Sequence, residues 1–162
     1  MGETGWLSDD EQRTWRAFLA TTALLASALD RQLQRDASMT HASYIVLAML
    51  SEAPGRALRM TELAVRSNSS QSRMSHTVAR LEERGWVRRE KSAEDKRGSV
   101  AVLTDAGWEV VVATAPGHVG AVRDSLFDQL SAEQVGQLRE ICAAVLTKLD
   151  PDNTFWRHQP TS

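Results

Sequence analysis

The sequence predicts a mainly α-helical fold carrying one small β-hairpin. Two observations predict it. Apolar residues recur in steps of three and four along most of the chain, with polar capping residues ahead of each run. The period changes once, at 86–103, where two short β-rich runs flank a polar loop containing glycine. A length of 162 residues, 42% hydrophobic and 25% charged, suits one or two compact domains with a real core.

Residues 8–36 read as a long helix. Ser8 is its N-cap, and Asp9, Asp10 and Glu11 sit at the positive end of the helix dipole. Trp15, Phe18, Leu19, Thr22, Leu25, Leu29 and Leu33 form one stripe. A helix this long and narrowly striped exceeds a small monomer's core, so a partner is expected to cover part of it. Thr40 caps a second helix that Pro54-Gly55 ends, with Tyr44, Leu47, Ala48 and Leu50 inward. A short third helix follows with Thr61 as N-cap, and Ser67-Asn68 is a turn. Ser69 or Ser70 caps a fourth helix through Arg84, anchored by Met74, Val78 and Leu81, and Gly85 stops it.

The hairpin comprises strands 86–90 and 99–103 around the charged loop 91–98. Thr104 caps a fifth helix, which Pro116-Gly117 is expected to break or sharply kink, because proline removes a backbone donor and crowds the preceding turn. It resumes from His118 to Leu130. Ser131 opens a last helix to Leu149, striped by Val135, Leu138, Ile141, Cys142, Val145 and Leu149. The tail carries Phe155 and Trp156 and is expected to dock on the body or a partner.

Composition excludes several classes. No stretch nears the roughly 18 apolar residues of a membrane span. The first residues lack the basic-then-apolar pattern of a signal peptide and a myristoylation motif, so the expected location is the cytoplasm, with no membrane partner. One cysteine, Cys142, excludes an intrachain disulfide and a multi-thiolate zinc site. The histidines at 41, 76, 118 and 158 are scattered, so neither a metal site nor a cofactor is expected. No Gly-rich phosphate loop, His-Glu-x-x-His or Gly-x-Ser-x-Gly occurs, and no catalytic residue is assigned.

The net charge of -2 hides an asymmetry. Residues 56–100 hold 11 basic and 6 acidic residues, a net +5, and leave -7 for the remainder. A basic segment in an acidic chain is an electrostatic footprint for phosphate backbone, although solvated surface charge gives the same count.

Two short helices about a tight turn, then a β-hairpin, describe a winged helix-turn-helix. Ser70, Gln71, Ser72, Arg73, Ser75, His76 and Arg80 lie off the apolar stripe of the fourth helix. Gln pairs with adenine and Arg with guanine in the major groove, while Ser suits bases or phosphate. At the hairpin tip, Lys96 and Arg97 suit the narrow, negative minor groove, and Asp95 is close enough to orient Arg97.

With these stretches the chain resembles the MarR family of bacterial transcription regulators, from about Ser8 to Leu149. The resemblance rests on Leu58 through Ala64, Ser70 through Val87, Glu94 through Gly98, and Leu103 through Gly107. The family's Asp-x-Arg wing signature is matched by Asp95 and Arg97. The resemblance implies a homodimer. Residues 1–37 and 105–162 would form a helical dimerisation region and 38–104 the DNA-binding winged helix-turn-helix. It also implies a near-palindromic double-stranded DNA operator and a repressor released by a small aromatic or phenolic ligand. His41 is then a candidate contact for the ligand, and Trp15, Tyr44 and Trp108 are candidate cleft aromatics. Their plainer roles are a first-turn surface residue and ordinary core.

Two alternatives stand beside this reading. Cys142 would serve an oxidation-sensing regulator, although its apolar stripe favours a packed role. A winged helix also serves as the dimerisation or interaction module of an enzyme system, which would not require outward Gln71, Arg73, Arg80 and Arg97.

Overall fold

The computed structural model describes residues 5–91 and 98–155. Helix α1 (Asp9–Ala37) starts at a capping box, in which Ser8 Oγ accepts from the Glu11 N–H and the Glu11 carboxylate accepts from the Ser8 N–H. Helix α2 (His41–Glu52) is capped by Thr40. A 3-10 turn at Pro54–Arg56 leads to strand β1 (Ala57–Arg59), then helix α3 (Met60–Arg66) and helix α4 (Gln71–Glu83). Strands β2 (Val87–Lys91) and β3 (Ser99–Leu103) precede α5 (Asp105–Ser125) and α6 (Ala132–Leu149).

The core is the winged helix-turn-helix. Leu47 and Leu50 of α2, Leu63 of α3, Val78 and Leu81 of α4 and Leu33 of α1 are essentially sealed from solvent, joined by Val87, Ala101 and Leu103 from the strands. All three anchors expected on α4 are buried. Gly85, at φ 72°, occupies the left-handed region just beyond α4 and turns the chain into β2.

Four expectations are corrected. The sheet has three strands, in the antiparallel order β1-β3-β2, with Ala57 opposite Val102 and Val87 opposite Leu103. Three residues are too few for β1 to show alternation. The N-cap of α3 is Arg59 rather than Thr61, and it makes no side-chain capping bond. Helix α5 runs without a break through Pro116. The proline removes one donor, and packing on α1 holds the helix across the gap, with His118 hydrogen-bonded to Gln32 just beyond it. That helix stops at Ser125, short of Leu130, and a 3-10 turn at Phe127–Gln129 follows.

The long terminal helices are mostly uncovered. Only Leu29, Gln32 and Leu33 of α1 are buried, and no residue of α6 is. Trp15, Phe18, Leu19, Ile141 and Val145 are all exposed. Cys142, expected to be packed, is exposed on this chain. Trp156 lies outside the described residues.

The joint between wing and α5 is tight. The Thr104 N–H donates to the Trp86 carbonyl at 3.0 Å, its hydroxyl donates to the Gly85 carbonyl at 2.7 Å, and the same hydroxyl accepts from the Gly107 N–H at 3.0 Å. A Cβ at Gly107 would collide with the Trp86 carbonyl oxygen and the Leu103 side chain. Gly107→Ala should therefore destabilise the fold by about 1–3 kcal/mol in urea unfolding. Unchanged stability would contradict this account of the joint.

Candidate nucleic-acid interface

Helix α4 separates an anchored side from a free side. Ser70 is its N-cap, accepting from the Arg73 N–H at 3.2 Å. Beyond the cap, Gln71, Ser72, Arg73, His76 and Arg80 are exposed. Ser75 is only half-buried, and it faces the wing rather than solvent alone. Arg89 of β2 donates to the Ser75 carbonyl at 2.7 Å and to its hydroxyl at 3.4 Å.

Much of the positive charge counted over 56–100 is engaged internally. The Arg66 guanidinium is buried and paired with Glu62. Arg89 pairs with Glu82 at 2.9 Å, and Arg88 with Glu90 at 2.7 Å. Arg84 donates to the Ser38 carbonyl at 2.8 Å, closing the end of α1, and its guanidinium stacks 3.6 Å above the Trp86 ring. Arg56 lies 4.1 Å above the Trp108 ring and reaches Asp105. Arg73 and Arg80 differ. Among the described residues, neither guanidinium has an ion pair or a hydrogen bond. The two cations left unspent on α4 thus lie on its exposed side. Asp95, Lys96 and Arg97 lie outside the described residues.

The four aromatic or histidine side chains expected around a ligand do not converge. Trp15 stacks on Phe18, ring centres 6.2 Å apart, on the exposed half of α1. Trp108 lies beneath Arg56. His41 and Tyr44 are neighbours through His118, whose ring is 5.6 Å from His41 and 4.4 Å from Tyr44. Of the four, only His41 lines the cleft of about 400 Å³ that opens between α2, the α3–α4 turn and α4. Ile45, Met74, Thr77 and Phe155 line it too, as does Arg73. The apolar spacing of α4 assigns Met74 to the core, Arg73 is expected on its polar side and Phe155 in a docking tail, while Ile45 and Thr77 carry no signal because a cleft wall and a core wall share the same spacing.

The fold and this helix define a winged helix-turn-helix protein whose second short helix is presented to solvent. Residues 37–98 match the MarR family. The chain is similar to Sco3205, a MarR family transcriptional regulator from Streptomyces coelicolor solved in complex with DNA. The TM-score is 0.88 at 52% identity, covering 93% of this chain and 94% of that one. It is also similar to AbsC, a MarR family transcriptional regulator from the same organism, with TM-score 0.85 and 38% identity over 90% of this chain and 98% of that one. The transcriptional regulator HosA of Escherichia coli O127:H6 is 35% identical over 98 residues, which are 59% of this chain and 69% of HosA. The chain belongs to the MarR family and is a transcription regulator of that type. No helix among the described residues is long and apolar enough to cross a membrane.

The His41–His118 pair joins the winged domain to α5. Gln32 donates to Asp36 at 2.8 Å, which orients its amide so that its oxygen accepts from His118 Nδ1 at 3.2 Å. Burial lowers the pKa of both histidines below 6.5, and each ring's proximity to the other opposes charging of His118 further. Asp30, which accepts from the His41 N–H, partly offsets the effect at His41. Because the folded pKa values are lowered, the unfolded chain binds these protons more readily. Stability is full above the unfolded value of 6.5 and declines as pH falls through it. Urea midpoints should therefore drop between about pH 7.5 and pH 5.5, and His118→Gln should flatten part of that drop. A His118→Gln profile parallel to wild type would contradict the assignment.

Proposed function

We propose that the protein is a homodimeric, sequence-specific repressor of the cytoplasm that binds a near-palindromic double-stranded DNA operator and is released by a small aromatic or phenolic ligand. The observation that carries the DNA reading is the pair of unspent guanidiniums, Arg73 and Arg80, beside Gln71, Ser72 and His76 on the exposed side of α4. Sco3205, similar over nearly its whole length, was solved with DNA. In this reading α4 enters the major groove, with Arg73 and Gln71 addressing base edges and Ser70 and Ser72 near phosphate. Lys96 and Arg97, with Asp95 orienting the arginine, contact the minor groove from the wing.

The uncovered apolar faces of α1 and α6 support the dimer. Residues 1–37 and 105–162 form the base, and two winged units, 38–104, hang from it. Dyad symmetry then places the recognition helices about 34 Å apart, one turn of DNA. The effector site is the cleft of about 400 Å³ beside α4, which Arg73 and His41 line with no carboxylate among the described residues, a composition suited to an aromatic anion. Such a ligand acts by its differential affinity for the free and DNA-bound arrangements.

Selection from random duplex DNA should enrich one near-palindromic site, and no enrichment would overturn the proposal. On the enriched site, Arg73→Ala should cost about 1–3 kcal/mol and relax preference at one base per half-site, with a smaller loss on random DNA. Equal losses on both would contradict base reading. Affinity should also fall steeply with salt, because several phosphates are neutralised. Sedimentation at micromolar concentration should give twice the chain mass of 17.9 kDa. A species of 17.9 kDa would contradict the dimer.

A further inference from the structure

Past α6, the chain turns back on a single carboxylate. Asp150 Oδ1 accepts from the Thr154 N–H and the Thr154 hydroxyl, both at 2.8 Å, and Oδ2 accepts from the Phe155 N–H at 2.8 Å. These bonds hold the Asp150 carboxyl below its usual pKa. The turn presents Phe155 to two adjoining hollows. One is the cleft beside α4, with Ile45, Met74 and Thr77. The other is a groove of about 270 Å³ formed by Val65, Leu146 and Leu149. Val65 and Leu149 are otherwise exposed, and Phe155 itself retains 42% of its exposure. The ring thus sits at the rim between the two hollows, and it is tethered there by one short turn.

We propose that Phe155 is the resident occupant of the cleft mouth, seated by the Asp150 turn, and that a ligand entering the cleft displaces it. The ligand's identity as an aromatic anion rests on the function proposed above; the seating of the ring does not. The physical reason for displacement is competition for one apolar surface. Phe155 shares the walls of the cleft with Ile45 and Met74, so a planar ligand reaching across its mouth competes with the ring for the same apolar surface and gains only the difference. The turn that carries the ring includes three hydrogen bonds to the half-buried Asp150 carboxylate, so removing that carboxylate loosens it. Loss of either the ring or its tether should therefore open the mouth.

The test uses the full chain and two readouts. In the first, 4-fluorophenylalanine replaces Phe155 and its fluorine resonance is recorded without ligand. Met74→Ala should shift that resonance, and Asp150→Ala should move it to the position of a solvent-exposed ring. A wild-type resonance already at the exposed position would overturn the proposal. In the second, 2-naphthoate binding is measured by calorimetry. Phe155→Ala and Asp150→Ala should each tighten binding by about tenfold over wild type, if the displaced ring withholds roughly 1.4 kcal/mol. Equal or weaker binding by both variants would overturn displacement. A cleft-dependent fluorine signal with no naphthoate binding to any variant would uphold the seated ring and refute the aromatic-anion reading instead.

Discussion

The structure depends on the burial of three side chains, Met74, Val78 and Leu81, against α2 and α3. At spacings of four and three they occupy one side of α4, and each is almost wholly removed from solvent. That anchoring orients the helix, and its opposite side carries Gln71, Ser72, Arg73, His76 and Arg80. Without the apolar anchors the polar side would have no defined direction. A hydrophobic constraint, rather than any polar contact, sets the geometry of recognition.

Positive charge on the winged domain is a less direct guide to function than its total implies. Arg66, Arg84, Arg88 and Arg89 each have an internal partner, and Arg56 is drawn onto Trp108. Arg89 ties α4 to the wing and Arg84 ties its end to the end of α1, whereas Arg66 and Arg88 pair within their own elements. Subtracting them leaves Arg73 and Arg80 as the informative cations on α4. The terminal helices show the complementary pattern. Their apolar stripes are largely uncovered within the chain, and the two helices together hold half of the large exposed hydrophobic residues among those described. A dimer would resolve this, since an apolar face of that extent is costly to leave in water.

Much of this was legible in the sequence. The helix caps at Ser8, Thr40, Thr104 and Ser131 were visible, and Ser70 as one of two neighbouring serines, because a side-chain oxygen just ahead of an apolar run satisfies the first free N–H groups. The recognition helix was visible because its two sides differ so sharply in polarity. Strand β1 was not visible, because three residues carry no periodicity and pairing with β3 supplies the reason for the strand. Pro116 misled, since local propensity predicted a break that packing against α1 overrides. The cleft was only partly legible. His41 was singled out and does line it, whereas Ile45, Thr77 and Phe155 reach it through tertiary packing that periodicity does not encode. Trp15 and Trp108 are aromatic for reasons of their own, one on the open face of α1 and the other under an arginine.

The most direct test of the orientation of α4 is photo-crosslinking from benzoylphenylalanine placed singly at 71, 76 and, on α5, at 109. With a duplex carrying the selected site, linkage from 71 and 76 and none from 109 is the result predicted for a helix whose polar side enters the groove. Linkage from 109 with none from 71 or 76 would contradict it.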